Sequence, residues 1–237
     1  MRALPKVRPF LVVPVKPAAG SKQRLALRLG DEERQMLSLS LATRVVGLAA
    51  AAWPQGQLVV VASETGLLDF CSRLGVPTVA DLGAGQSAAV RAGAQWCLER
   101  GATVLATIAA DLPGVTESDL RAVLRISRSL RRGSVVVFPD RAGSGTNGLV
   151  VRPASLQVHA FGPDSRRRHQ RIARCLGLHF SARHLPGLAW DIDRPEDLDP
   201  IDGSLPVPHP VLPWARALSA RLGQASAASP GRAGDGT

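Results

Sequence analysis

Two acidic segments, about eighty residues apart, contain the side chains best suited to catalysis in this sequence. Asp111 follows the apolar run 103–108, and Asp191 and Asp193 follow the apolar run 188–190. We expect both runs to be buried strands, because an aspartate at the carboxyl end of a parallel strand points into the crevice where α/β sheets bind ligands. Carboxylate oxygens suit a Mg²⁺ ion that carries a phosphate. The two segments therefore predict one magnesium site.

The spacing of these acids supports a shared site. Asp191 and Asp193 are two residues apart and so lie on one side of an extended segment. The alternative for Asp111 is a turn or capping residue ahead of Leu112. Glu196 and Asp197 follow a proline where the first turn of a helix is expected, and the helix dipole favours acids there. We interpret these last two acids as structural.

A basic loop follows the first apolar run of the chain. It contains Lys16, Lys22 and Arg24 among small residues. Its composition suits a phosphate cradle at the carboxyl edge of the sheet, and the alternative is an exposed basic loop. Neither G-x-x-x-x-G-K-[ST] nor G-x-G-x-x-G spacing is present, so the loop is neither a P-loop nor a dinucleotide turn.

Two later loops have the composition of an anion site. The segment 143–148 combines backbone amides with Thr146 and Asn147, and its alternative is a flexible hairpin. The segment 161–165 contains Gly162 and ends at Ser165, at the start of an expected helix whose free N–H groups would face an anion.

Basic residues follow on that helix. Arg168 and His169 lie one turn beyond Ser165 and are candidates to bind a phosphate or carboxylate. The alternative is an ordinary basic helix in which Asp164 is the N-cap.

Apolar β-rich runs alternate with helical stretches along the chain. Strands are predicted at 10–15, 58–62, 77–80, 103–108, 134–138 and 149–151, and helices at 31–52, 64–74, 86–100 and 117–130. Continuous apolar strands that alternate with helices indicate a mostly parallel sheet covered on both faces. The sequence therefore predicts a single α/β domain.

Length and composition set the domain organisation. The 237 residues suit one domain, predicted at 1–202, followed at 203–237 by a Pro-, Ala- and Gly-rich tail. The tail is expected to be partly disordered, with one short helix at 214–222. The three cysteines are far apart and in no CxxC pattern, which indicates buried thiols and no zinc site. No membrane span or signal peptide is expected, so we predict a cytoplasmic protein.

The net charge of +10 suits nucleic acid, an anionic surface or small anionic substrates. The arginines are concentrated at 125–132 and 166–174, but few aromatic residues accompany them and the chain has no Tyr. Without stacking aromatics, nucleic-acid binding is the weaker interpretation, and we predict no nucleic-acid partner.

Taken together, five motifs resemble the guanylyltransferase family of coenzyme F420 biosynthesis, whose members activate 2-phospho-L-lactate or phosphoenolpyruvate with GTP. The resemblance runs from about Leu11 to Leu198. The motifs are Val13-Pro-Val-Lys16-Pro with Ser21-Lys22-Gln-Arg24-Leu25, Ala110-Asp111-Leu-Pro113, Gly145-Thr146-Asn147-Gly148-Leu149, Phe161-Gly162-Pro-Asp-Ser165 with Arg168-His169, and Asp191-Ile-Asp193-Arg-Pro-Glu-Asp-Leu198. Such a family implies a glycosyltransferase-A-like, Rossmann-like nucleotidyltransferase fold.

The resemblance also implies roles for individual residues. Asp111 and Asp191 would hold Mg²⁺, with Asp193 as a supporting or alternative ligand, and Lys22 and Arg24 would face the GTP phosphates. The remaining implied contacts are to nucleotide for Lys16, Gly85 and Ser87, and to the acceptor for Thr146, Asn147, Gly162, Ser165, Arg168 and His169. A downstream transferase would be the partner. Two departures are the segment 83–88, where relatives often carry a Leu-Asn pair, and Arg194, where Thr is frequent.

The predicted reaction transfers GMP from GTP to a phosphorylated acid and releases pyrophosphate. A phosphomonoester is largely ionised at pH 7, so it needs no general base, and metal electrostatics dominate such transfers. Phosphoenolpyruvate is the preferred acceptor because bacterial members of the family tend to use it. The alternatives are 2-phospho-L-lactate, 3-phospho-D-glycerate, a molybdenum-cofactor or sugar-phosphate nucleotidyltransferase, and a nucleic-acid-binding protein. The oligomeric state stays open.

Overall fold

A seven-stranded sheet organises the part of the chain that the structure describes. This computed structural model describes residues 6–17 and 22–202, with the backbone alone for 199–202. The strands are β1 (Pro9–Pro14), β2 (Leu58–Ala62), β3 (Thr78–Ala80), β4 (Val104–Ile108), β5 (Ser134–Phe138), β6 (Gly148–Arg152) and β7 (His179–Ala182). Their order in the sheet is β3-β2-β1-β4-β6-β5-β7.

The sheet is mostly parallel, as the continuous apolar runs predicted. β1 pairs in parallel with β2 and β4, β2 with β3, and β5 with β7. β6 runs antiparallel to both of its neighbours, β4 and β5. The chain therefore reverses its direction in the glycine-rich loop 143–148, between β5 and β6.

Helices cover both faces of the sheet. Their bounds are α1 (Asp31–Ala52), α2 (Thr65–Arg73), α3 (Gln86–Glu99), α4 (Glu117–Ser129), α5 (Ser165–Cys175) and α6 (Pro186–Ala189), with 3₁₀ turns at Gln23–Leu27 and Pro195–Asp202. Along β1, Leu11 and Val13 pack with α1, α2 and α4, whereas Phe10 and Val12 pack with α3. This alternation follows from the period of two in a strand and explains why β1 is apolar throughout.

The strand order creates a crevice between β1 and β4. From β1 the chain proceeds outward to β2 and β3, and it then returns to place β4 on the other side of β1. At such a switch point the loops after the two central strands diverge, and ligands bind between them. Lys16 and Lys22 follow β1, and Asp111 follows β4, so this topology brings them to one place.

The expectation of a strand at 188–190 was wrong. These residues belong to α6 and to the extended segment after it, with Pro186 at the first turn. A short apolar run fits a buried helix turn as well as a strand, and proline at the first helical position favours the helix. β7, an edge strand of half-buried and exposed residues, was not predicted from the sequence. The predicted helix at 214–222 lies outside the described residues.

Helix α1 qualifies the expectation that no segment approaches the length of a membrane span. Among the described helices, it alone is long and apolar enough by length and composition. Its residues Leu37, Leu41, Val45, Val46 and Ala49 are buried against the rest of the domain. A core helix passes the same test, and we interpret α1 as one.

Candidate active site

A cavity of about 670 Å³ opens at the crevice between β1 and β4. Its size is typical of sites for small molecules and cofactors. The wall is formed by the loops after β1, β4 and β5, by the segment ahead of α5, and by the segment after α6. Of the residues predicted from the sequence, it contains Lys16, Lys22, Arg24, Asp111, Thr146, Asn147, Gly162, Ser165, Asp191 and Asp193.

Lys22 connects the two acidic segments. Its Nζ lies 3.2 Å from Asp111 Oδ2 and 3.9 Å from Asp193 Oδ1, and it donates a hydrogen bond to the carbonyl oxygen of Ile192 at 2.5 Å. The Lys22 side chain is only 5% exposed, and its backbone has a φ of 53°. A non-glycine residue in this left-handed conformation is uncommon and is held there by its surroundings. The ammonium group is therefore a fixed positive charge among the carboxylates.

The environment of the cavity shifts the pKa values of Asp111 and Asp191 in opposite directions. Burial by itself would raise the pKa of Asp111, but the charges of Lys22 and then Lys16, with a hydrogen bond from Lys22, hold that pKa below its ordinary value. The pKa of Asp191 is raised to about 6, first by burial and then by the charge of Asp111, with a smaller contribution from Asp193. Asp191 therefore lacks the compensating cation that Asp111 has.

Asn147 holds Asp191 in place. Its Nδ2 donates to Asp191 Oδ1 at 3.1 Å and to the carbonyl oxygen of Leu188 at 2.9 Å. Because β6 begins at the next residue, these bonds fix the segment after α6 to the centre of the sheet. Asn147 thus orients a predicted metal ligand as well as lining the cavity.

The chemistry of this donor set fits Mg²⁺. Asp111, Asp191 and Asp193 offer oxygen atoms only, which is what Mg²⁺ prefers, and the raised pKa of Asp191 reports negative charge that a cation would relieve. Within 6–17 and 22–202, however, no three His, Cys, Asp or Glu side chains already form a compact metal cluster. The carboxylates converge on the cavity without a finished coordination shell, and Mg²⁺ usually completes its shell with water and substrate phosphates.

Thr146 and Ser165 form another part of the wall. Thr146 lies in the loop between β5 and β6, and Ser165 is the first residue of α5. Gly162 has a φ of 110°, which requires glycine at that turn. Asp164 occupies the N-cap position of α5 with a φ of 52°, yet its side chain makes no capping hydrogen bond. The backbone N–H of Ser165 nevertheless donates to the carbonyl oxygen of Gly162, and that of Arg166 to the carbonyl oxygen of Ser144. The expectation that free N–H groups at the start of α5 face an anion is therefore wrong for these two groups.

Four of the predicted site residues do not line the cavity. His169 is buried behind the wall, where its ring bonds Thr146 and the backbone of Ala160. Ser87 accepts a hydrogen bond from the Phe161 N–H at 3.0 Å, and Arg168 is exposed beside Gly162. Gly85, with a φ of 86°, precedes α3, and its neighbour Gln86 reaches the cavity instead. In this geometry, none of these four residues is placed to contact a ligand in the cavity directly.

Arg141 is a cavity residue that the sequence interpretation missed. Its Nη2 lies 3.0 Å from Asp197 Oδ1, while Asp197 Oδ2 accepts hydrogen bonds from the backbone N–H groups of Asp193 and Arg194. Asp197 therefore has the structural role expected for it and also holds a cation on the wall. The only available signal was the position of Arg141 at the start of the glycine-rich loop.

These features define a class of protein. A mostly parallel sheet with cations and carboxylates at its central crevice is the architecture of the nucleotidyltransferase fold, and two solved structures share this fold. The fold resembles that of a protein named as a nucleotide-diphospho-sugar transferase from Desulfovibrio desulfuricans G20, with a TM-score of 0.71 at 16% identity over 92% of this chain and 98% of that one. It also resembles a nucleotidyl transferase from Methanothermobacter thermautotroptrophicus, with a TM-score of 0.57 at 16% identity over 82% and 95% of the chains.

The particular family follows from the sequence relatives. Residues 10–202 match the family described as "Guanylyl transferase CofC like", and the chain belongs to it. It is 36% identical to the phosphoenolpyruvate guanylyltransferase of Sphaerobacter thermophilus, over 83% of this chain and 93% of that protein. It is 34% identical to the corresponding enzyme of Rubrobacter xylanophilus, over 82% and 94%. A 3-phospho-D-glycerate guanylyltransferase from Colwellia psychrerythraea is 30% identical, over 81% and 90%.

Proposed function

We propose that the protein transfers GMP from GTP to the phosphate of phosphoenolpyruvate and releases pyrophosphate, in the biosynthesis of coenzyme F420. The observation that carries the proposal is the Lys22-bridged group of carboxylates, which lines one cavity together with Thr146 and Ser165. Relatives named for this reaction support the choice of substrates.

The cavity offers separate places for the two anionic substrates. Lys16, Lys22 and Arg24 lie on the side that follows β1 and are suited to bind the triphosphate. Thr146, on the loop between β5 and β6, and Ser165, at the start of α5, also line the cavity and are suited to bind the small acid. This division keeps two anions apart until the reacting phosphate oxygen meets the α-phosphorus of GTP.

Charge stabilisation and orientation are sufficient for the chemistry. Mg²⁺ held by Asp111 and Asp191, with Asp193 in support, would neutralise charge on both substrates. Lys22 would stabilise the negative charge that develops as pyrophosphate leaves, and Asn147 would keep Asp191 aimed at the cavity. The acceptor phosphate is already ionised at neutral pH, so no side chain has to remove a proton from it.

An assay with three different acceptor acids tests this proposal. The protein is incubated with GTP, Mg²⁺ and either phosphoenolpyruvate, 2-phospho-L-lactate or 3-phospho-D-glycerate, pyrophosphate is followed, and the product is identified by mass. We expect the highest kcat/KM with phosphoenolpyruvate, and ATP in parallel tests the choice of base. The Colwellia relative makes 3-phospho-D-glycerate the second candidate. Absence of pyrophosphate release with all three acceptors would refute the proposal.

The cellular setting follows from the same chemistry. We place the protein in the cytoplasm, where GTP is available, and infer that a transferase consumes its product. That product would contain a phosphoanhydride between GMP and the acid, and the downstream enzyme would displace GMP from it.

A further inference from the structure

A buried histidine joins the two loops that form the acceptor side of the cavity. His169 of α5 is 0% exposed. Its Nδ1 lies 3.2 Å from Thr146 Oγ1, and its Nε2 lies 3.1 Å from the backbone nitrogen of Ala160. The ring of Phe161 packs edge-on against the imidazole, with 5.1 Å between the ring centres. One side chain therefore contacts the loop of Thr146 and the segment that leads to Gly162.

The backbone contact determines where the imidazole carries its proton. A backbone N–H group can only donate, so Nε2 must accept from Ala160 with its lone pair. A neutral imidazole then carries its proton on Nδ1, and this proton is donated to Thr146 Oγ1. Burial, with the charges of His159 and Arg168, lowers the pKa of His169 to about 4, so the ring is neutral at physiological pH.

The same argument assigns the direction of the Thr146 hydroxyl. Its oxygen is occupied as an acceptor, and within the described residues no further hydrogen bond engages its proton. Thr146 lines the cavity, so that proton is free to be donated to an anion there. If His169 carried its proton on Nε2, the Thr146 hydroxyl would instead donate to Nδ1.

We propose that His169 is a positioning residue, which turns the Thr146 hydroxyl into a donor for an anionic oxygen of the acceptor and ties the segment 160–162 to the same wall. This inference rests on the proposed function for the identity of the acceptor, a small phosphorylated carboxylic acid. Ser87 contributes the second tie, because it accepts from the N–H of Phe161, next to the N–H that His169 accepts. Two consecutive amides ahead of Gly162 are thus held by α5 and α3.

The tautomer is measured directly by NMR of the protein with ¹⁵N-labelled histidine. We expect the Nδ1 shift of a protonated nitrogen and the Nε2 shift of an unprotonated one in His169 at pH 7.5. A ring protonated on Nε2, or on both nitrogens, would overturn the inference. This measurement uses the unaltered protein and does not require turnover.

The functional consequence is measured with His169→Leu, Thr146→Val and the double variant. The loss of one hydrogen bond to a charged group predicts that each single variant raises the KM for phosphoenolpyruvate by about 10- to 100-fold and leaves the KM for GTP within about twofold. The double variant should be no worse than Thr146→Val, because both changes remove the same donor. Equal increases in both KM values, or additive effects, would show that His169 has only a structural role.

A neighbouring histidine provides the matched control. His159 is also buried, and in the part of the chain that the structure describes neither of its ring nitrogens has a hydrogen-bond partner. His159→Leu removes the same volume and polarity and should leave the ratio of the two KM values unchanged. The amide of His169→Gln has both a group that accepts a hydrogen bond and a group that donates one. This variant should therefore recover part of the affinity for phosphoenolpyruvate.

Binding separates this inference from the proposed function. If the unaltered protein turns over none of the three acceptors, the proposed function fails, and calorimetric titration with phosphoenolpyruvate and with inorganic phosphate still tests His169. Weaker binding by at least about tenfold in His169→Leu and Thr146→Val would support the positioning role. Equal binding by the variants, or no binding of either anion to the unaltered protein, would overturn it.

Discussion

At the scale of single residues, the carboxylates of the cavity show a conflict between stability and the proposed chemistry. Asp111 has Lys22 beside it, whereas Asp191 is buried and faces the charges of Asp111 and Asp193. Within the described residues, its hydrogen-bond partners are the Asn147 amide and a backbone N–H, and neither is a cation. Keeping Asp191 ionised therefore costs folding free energy that bound Mg²⁺ would offset. Function, and not stability, explains a carboxylate at this position.

The pKa of Asp191 predicts that Asp191→Asn stabilises the metal-free protein. The pKa lies at about 6 in the folded protein, above its ordinary value of 3.8, so protonation favours the fold. This contribution is complete below about pH 4 and is lost as the pH rises through about 6. At pH 7.5 with EDTA, urea unfolding should show the variant to be more stable by about 1 to 3 kcal/mol, with transferase activity lost. A less stable variant would contradict the assignment.

Arg141 carries a second prediction at this scale. Asp197 holds its guanidinium at 3.0 Å. Arg194, the matched control, also lines the cavity, but within the described residues its guanidinium has only the longer pair with Glu196 at 3.9 Å. We expect Arg141→Ala to weaken phosphoenolpyruvate or GTP binding by about two- to fivefold, since the side chain is 61% exposed and an exposed charge pair is worth about 0.2 to 1 kcal/mol. Arg194→Ala should have a smaller effect. Calorimetric titration compares the two variants, and equal losses would contradict the prediction.

Site residues were predictable where their type and strand position coincide. Asp111 follows a central strand, and the small and polar residues of 143–148 have few roles outside a loop. Arg141 could not be found in this way, because its place depends on an ion pair with Asp197, 56 residues later in the chain. The burial of His169 depends in turn on which face of α5 meets β5 and β7.

At the scale of elements, β6, α5 and the segment between them pack together as one unit around an apolar cluster. The unit contains two buried histidines, His159 and His169, each with a pKa lowered to about 4. Burial is the main cause of both lowered pKa values. The charge of Arg91 also lowers the pKa of His159, and the charges of His159 and Arg168 also lower the pKa of His169. Their neutrality is thus a condition for the packing of this unit.

These histidines predict a loss of stability in weak acid. Each pKa is about 4 in the folded protein and 6.5 ordinarily, so the unfolded chain gains a proton first as the pH falls. Between pH 7.5 and 5 each histidine should cost about 2 kcal/mol of unfolding free energy. Urea unfolding of His159→Leu should show a pH dependence reduced by about that amount. An unchanged pH dependence would contradict the burial of a neutral His159.

Elements were predictable where a run is long and its environment is uniform. The strands from β1 to β5 and the helices between them were predicted within a few residues of their observed bounds. β1, β2, β4 and β5 are buried and mostly apolar, whereas β3 is an edge strand in which only Val79 is half-buried. β7 was missed since an edge strand needs no apolar run, and α6 was taken for a strand because its apolar residues are too few to show a period.

At the scale of the whole molecule, the family match ends at residue 202, and the domain boundary predicted there stays a prediction. A chain ended after Asp202 is expected to unfold within a few degrees of the full chain and to keep its kcat/KM. Thermal unfolding and the acceptor assay test this. A large loss of either quantity would show that the domain needs residues beyond 202.

The net charge of +10 leads to a further expectation at this scale. Because the cations of the site face one cavity and lie among carboxylates, oligonucleotides should bind only through unspecific surface charge. Fluorescence anisotropy with random oligonucleotides at 150 mM salt should give dissociation constants in the range of about 1 to 100 μM, typical of unspecific binding. Submicromolar, sequence-independent binding would support the nucleic-acid alternative.

The most direct test of the central claim compares Asp111→Ala with the unaltered protein in pyrophosphate release from GTP and phosphoenolpyruvate with Mg²⁺. Glu99→Ala, which removes an exposed carboxylate of α3 outside the cavity wall, is the control, and circular dichroism confirms that each variant is folded. We predict that the unaltered protein and Glu99→Ala release pyrophosphate, whereas folded Asp111→Ala releases none above background. Near-normal turnover by folded Asp111→Ala would contradict the proposed carboxylate site.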